Sequence, residues 1–127
     1  MTEDELVQLL SKPPLGWPEE QVRLGITAGF RCEYCGRDFL ASVHDVYSWS
    51  IDHIVPGLEH ADNKAAACDT CNRRLKGKWD PRTEAGNDAC RAALVAAVRT
   101  RVMRKLRERE ARLSLERDAL LRFFTPH

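Results

Sequence analysis

No apolar run in the 127 residues approaches the roughly 18 that a membrane-spanning helix needs, so a membrane protein is set aside. The chain contains no internal repeat and no low-complexity tract, which sets aside a repeat array and a compositionally biased linker. Residues 1–10 are acidic and have neither the basic start nor the apolar stretch of a secretory signal, and a cytoplasmic location is expected. Charge of one sign is also scarce. The net charge is +1 and the sequence pI about 7.7, which say little about partners.

The balance hides an asymmetry. Residues 1–20 carry Glu3, Asp4, Glu5, Glu19 and Glu20 against Lys12 alone. Residues 72–82 carry Arg73, Arg74, Lys76, Lys78 and Arg82 against Asp80 alone. The stretch 99–122 holds nine Lys/Arg against four Asp/Glu. A local basic surface of this kind speaks to polyanionic partners where the whole-chain charge does not. With 43% hydrophobic and 31% charged residues, the composition is that of one small soluble globular domain.

Periodicity and breakers divide the chain. Residues 3–10 read as a short amphipathic helix capped by Thr2, and residues 11–18, with three prolines and a glycine, as a loop. Pro18 starts a second helix through about Gly25. Residues 43–55, rich in β-branched and aromatic side chains, favour strand. Residues 56–62 read as a loop, 63–77 as mostly helix and 79–87 as turns. From Asp88 to about Phe124 the pattern is strongly helical, with Asn87 or Asp88 as cap and Pro126 beyond the end. Leu106, Leu113 and Leu120 recur every seven residues, so a homodimer through this C-terminal helix is open beside simple packing on the domain. The expected organisation is an N-terminal helical segment at 1–30, a core at 31–80 and a basic C-terminal helix at 81–127.

Four of the five cysteines form two Cys-x-x-Cys pairs, Cys32/Cys35 and Cys68/Cys71, with 32 residues between them. Two intervening residues let both thiolates of a pair reach one ion, and Gly36 accommodates the tight turn. Four thiolates fill a tetrahedral shell and leave no place for water, so the expected site is structural zinc. Reduced buried thiols or a redox pair would need only one such motif. Cys90, in an Ala-rich helical stretch, reads as a small buried apolar side chain.

Between the pairs lies Ser50-Ile51-Asp52-His53-Ile54-Val55-Pro56. Asp52 and His53 would point to opposite faces of a regular strand, but a bend at its end brings both toward one site. Asn63 follows ten residues on, Asn72 follows Cys71, and Lys76 sits one helical turn beyond Asn72. A neutral imidazole takes a proton from water near neutral pH, whereas a carboxylate and an amide oxygen are hard ligands suited to Mg²⁺. Lysine and arginine hold phosphates by charge. Each residue alone has a plainer reading, as a packing histidine or a turn cap; the ordered set is what points to phosphodiester chemistry. His44 and His60 read first as solvated or packing histidines.

The string Cys32-x-x-Cys35-Gly36, Ile51-Asp52-His53-Ile54-Val55-Pro56, Asp62-Asn63-Lys64 and Cys68-x-x-Cys71-Asn72-Arg73-Arg74-x-Lys76-Gly77 resembles the HNH endonuclease family. The segment 51–77 is also similar, apart from the cysteines, to the HNH module of RNA-guided CRISPR nucleases. The resemblance covers residues 31–80. It implies an α+β fold with a small ββα-metal core, a β-hairpin and helix clasping a divalent ion with a four-cysteine zinc site beneath, flanked by short N-terminal helices and a long C-terminal helix. It further implies that His53 is the general base, Asp52 and Asn72 ligate catalytic Mg²⁺ or Mn²⁺, Asn63 braces the loop holding His53, and Lys76 contacts phosphate. Two features depart from the family pattern. The loop Pro56-Gly57-Leu58-Glu59-His60-Ala61 lacks the Gly-Gly pair of many members, and the third signature position is Asn72 rather than His, which favours Mg²⁺ or Mn²⁺ over softer metals. The expected substrate is DNA, held through its backbone by Arg73, Arg74, Lys76 and Lys78 with little sequence preference. The alternative is a zinc-stabilised nucleic-acid-binding or assembly module without cleavage activity, such as an accessory to phage packaging or defence.

Overall fold

The structure, a computed structural model, describes residues 1–126; His127, the last residue of the expected C-terminal segment, lies outside them. Two short helices open the chain, α1 (Glu3–Leu10) and α2 (Glu19–Thr27). Thr2 caps α1 as expected, its hydroxyl accepting from Glu5 N–H. Arg23 on α2 reaches back to Glu3 and Asp4, tying the helices at their exposed faces. Burial of Val7, Trp17 and Val22 holds their inner faces to the rest of the molecule.

The stretch 43–55 corrects the expectation of continuous strand. Its first part is a helical turn, α3 (Val43–Val46), and only Trp49–His53 is strand β1. Ser42 wins the contest locally. Its Oγ accepts from Asp45 N–H and donates to Asp45 Oδ2, closing a turn that overrides the β preference of the valines.

A second correction falls on 63–77. Residues Lys64–Cys68 form strand β2, not helix, antiparallel to β1 in the register Trp49↔Cys68 through His53↔Lys64. Alanine favours helix in isolation. Here Ala65, Ala66 and Ala67 are fully buried. A strand covered on both faces reads as a continuous apolar run, so alternation gave no signal. Helical structure begins only at the second cysteine pair and takes the wide π-helical form over Cys71–Lys76. Such turns are rare and concentrate at functional sites.

After a short helix α4 (Arg82–Ala85) comes α5 (Arg91–Phe124), 34 residues long. At 1.5 Å per residue it extends about 51 Å. Its start departs from expectation: neither Asn87 nor Asp88 but Cys90 is the N-cap, without a side-chain capping bond, and Cys90 is exposed rather than buried. Val95, Val98 and Val102 bury one stripe of α5 in the core. Beyond Leu106 the helix leaves the core, and Leu113, Leu115, Leu120, Leu121, Phe123 and Phe124 are exposed. No helix of the described residues is long and apolar enough to cross a membrane.

The core is one cluster with an aromatic centre. Trp49 stacks on Phe39 at 4.5 Å between ring centroids and meets Trp17 edge-on at 5.0 Å. The same cluster continues through the β2 alanines to the α5 valines, so sheet and helices form a single α+β unit.

Candidate active site and metal centre

The two Cys-x-x-Cys turns meet at the end of the hairpin. Cys68 closes β2 and Cys71 opens the π-helical segment, while Cys32 and Cys35 arrive on the turn that the Arg31–Asp38 bridge closes. Gly36, with φ +80°, takes the left-handed conformation that this turn demands. The four sulfurs lie within 4.8 Å of one another, and Cys35 Sγ is 3.7 Å from Cys68 Sγ. A tetrahedron with Zn–S bonds near 2.3 Å has sulfur–sulfur edges of about 3.8 Å, so the donor set fits zinc in kind, number and size. Among the bare thiols, S–H donation from Cys35, Cys68 and Cys71 favours the thiolate at Cys32, while hydrogen bonding to Cys32 and then Cys35 pushes Cys68 and Cys71 up. A bound dication would lower all four thiols and let each ionise. This is a four-cysteine cluster suited to structural zinc.

The cluster is locked to its surroundings by Glu33, the first residue between Cys32 and Cys35. Its N–H donates to Ala66 O at 2.8 Å and its Oε2 accepts from Ala66 N–H at 2.7 Å, pairing the free edge of β2. Its Oε1 takes Arg91 of α5 at 2.8 Å. One carboxylate thus joins knuckle, sheet and long helix. No periodic signal in the sequence marks Glu33 for this role.

A cleft of about 660 Å³ is lined by Ile51, Asp52, His53, Pro56, Gly57, Asn72, Arg73, Lys76, Gly77 and Lys78. Asn72 is therefore brought to one site with the consecutive residues Asp52 and His53. Asp52 is buried, and its Oδ2 accepts from Tyr34 Oη at 2.7 Å with Lys76 Nζ at 3.1 Å. Burial, then the Asp52 charge, pushes the Tyr34 phenol far up, so it stays protonated and donates. Both of these contacts fall on Oδ2, and Asp52 Oδ1 has no hydrogen-bond partner among the described residues. Asn72 Nδ2 donates to Ser50 Oγ at 3.0 Å, which leaves the amide oxygen as its acceptor.

His53 ends β1 and is half-exposed. Its Nε2 lies 2.9 Å from Glu59 Oε1, yet the approach is out of line for a hydrogen bond. The loop beyond is held from within by Asn63. Its Oδ1 accepts from Val55 N–H at 2.8 Å, and its Nδ2 donates to the carbonyls of Val55 at 2.8 Å and Leu58 at 2.7 Å. The structure therefore sets Asn63 under the loop and not in the cleft.

Of the four expected cations, Arg73 and Lys78 line the cleft and are exposed, while Arg74 turns to the other side of the π-helical segment. Lys76 is buried and spends its donors on Asp52 and the carbonyls of His53 and Gly77. Its ammonium faces inward, away from solvent phosphate. His44 is exposed. His60 is exposed too, and its Nδ1 accepts from Asp62 N–H.

The family model described as HNH endonuclease matches residues 32–78. Residues 32–78 are therefore similar to the HNH endonuclease family. No curated protein and no solved structure matches it. The matched stretch runs from the first residue of the cysteine cluster to the last residue of the cleft lining, so cluster and cleft both fall inside it. Tyr34, Ser50 and Glu59 are the cleft-associated residues that sequence reasoning missed. Only Ser50 carried a signal, since it shares a strand face with Asp52 two positions on.

Proposed function

We propose that the chain is a metal-dependent endonuclease acting on DNA. The observation that carries this reading is the convergence of Asp52, His53 and Asn72 on one cleft rimmed by Arg73 and Lys78. The free oxygens of Asp52 and Asn72 are hard donors fitting Mg²⁺ or Mn²⁺. A bound divalent ion would polarise the scissile phosphate and stabilise the leaving oxygen. His53, which lines the cleft, accepts the proton of the attacking water through its imidazole. Asn63 fixes the loop that follows His53. Tyr34 and Lys76 hold the Asp52 carboxylate in one orientation, and Arg73 and Lys78 bind the phosphates on either side of the scissile bond.

The position of Lys76 supports a second reading. An ammonium 3.1 Å from Asp52 already neutralises the carboxylate, as in a zinc-stabilised module that binds nucleic acid or assembles without cutting. Incubation of zinc-loaded protein with supercoiled plasmid across Mg²⁺, Mn²⁺, Ca²⁺ and no added ion separates the two. Nicking with Mg²⁺ or Mn²⁺ supports the nuclease; retardation of intact plasmid under every condition supports the binding module.

A further inference from the structure

A second groove, of about 640 Å³, lies on the far side of the π-helical segment, between it and α5. Leu75 and Thr70 belong to its lining, and its charged members are Arg74, Lys105, Glu108, Arg109 and Arg112. The α5 members fall at the spacing i, i+3, i+4, i+7, which is one face of one helix. The groove thus gathers four cations and one carboxylate. Among the described residues Arg74, Lys105 and Arg112 have no carboxylate within ion-pair distance, whereas Arg109 is paired with Glu116 at 2.5 Å. Glu108 leans toward Arg104 at 4.0 Å, outside the groove lining.

Two facts set this groove apart from an ordinary solvated helix face. It is concave, with one wall supplied by a different element. That wall is also the wall of the candidate catalytic cleft: consecutive residues Arg73 and Arg74 line the cleft and the groove respectively. A polyanion lying across the π-helical segment meets both without a break in positive charge. Over residues 105–112, α5 advances about 10 Å, roughly three base-pair rises of duplex DNA.

We propose that the α5 groove is a second DNA-backbone site, taking the phosphates of the duplex arm that flanks the one in the cleft. The assignment rests on the nuclease reading for its substrate but not for its test, which reads binding alone. The contacts are to phosphate, so they add affinity and orientation without sequence preference. The groove sets which side of the scissile bond must carry duplex, because the cleft and the groove lie in fixed order across one helical segment.

The test is fluorescence anisotropy of the whole zinc-loaded chain with a labelled duplex of about 30 base pairs, without added Mg²⁺ or Mn²⁺, over a series of salt concentrations. The double variant Lys105→Ala/Arg112→Ala removes two unpaired groove cations. Arg107→Ala/Arg117→Ala removes the same charge outside the groove lining. The groove pair is expected to weaken binding several-fold and to lower the slope of log affinity against log salt by about two, roughly one per lost phosphate contact. The control pair is expected to leave the slope within about half a unit of wild type, and Glu108→Gln to tighten binding. Equal losses from both double variants, or a groove variant binding like wild type, would overturn the assignment. Wild-type binding with the groove effect but no plasmid nicking would retire the nuclease and keep the groove.

Discussion

At the residue scale, the cleft is built from side chains whose partners leave little freedom. Asn63 is the clearest case, since one carboxamide satisfies an N–H and two carbonyls of residues 55–58. Asn63→Ala orphans buried backbone groups and is expected to cost about 3 kcal/mol in urea unfolding. Asn63→Asp is expected to be no better, because a carboxylate keeps the bond from Val55 N–H but cannot donate to the carbonyls. Lys76 sets a sharper condition. Lys76→Met strips a buried carboxylate of its countercharge, and a loss of about 3–5 kcal/mol is expected. If Asp52 belongs to a divalent-ion site, millimolar Mg²⁺ restores part of that loss in the variant and does less for wild type. Thermal melts with and without Mg²⁺ read the difference, and equal shifts would remove Asp52 from the ligand set.

At the element scale, much of the candidate site was legible in the sequence, and the failures have local causes. The Cys-x-x-Cys spacing and the order Asp52, His53, Asn72 were readable because each carries a chemistry independent of the surrounding helix or strand. The Lys64–Cys68 strand was not, because three alanines signal helix until a core on both faces makes them strand. The turn Val43–Val46 was hidden for the opposite reason: one Ser42 hydroxyl outweighs two valines. Ser42→Ala is therefore expected to cost about 1 kcal/mol. The same turn gives an acid-side signature. The Ser42 hydroxyl and then Arg37 hold the Asp45 carboxyl below its ordinary value. A depressed folded value contributes stability that is fully present above the ordinary carboxylate value and is lost as pH falls below it and through the lower folded value. Denaturant midpoints from about pH 7 to about pH 3 are expected to fall less steeply in Asp45→Asn than in wild type.

At the scale of the whole molecule, the zinc cluster is the joint on which the rest depends. It ties the turn at residues 32–35 to the end of β2 and the start of the π-helical segment, and Glu33 extends the tie to α5. Metal analysis of protein purified without added zinc is expected to give about one ion per chain. Chelation is expected to unfold the hairpin and cleft together, because binding free energy at such a site is folding free energy. Folded protein with no bound metal would contradict this. The outer half of α5 plays no part in that joint, since its apolar side chains from Leu113 onward are exposed.

The most direct measurement compares supercoiled-plasmid nicking by wild type and His53→Ala, both zinc-loaded and equally folded by circular dichroism, in Mg²⁺ and in Mn²⁺. Catalysis by an imidazole base supplies about 10²–10⁴-fold, so the variant is expected to nick at least about a hundredfold more slowly while binding the plasmid as tightly. Nicking at the wild-type rate by His53→Ala would contradict the account.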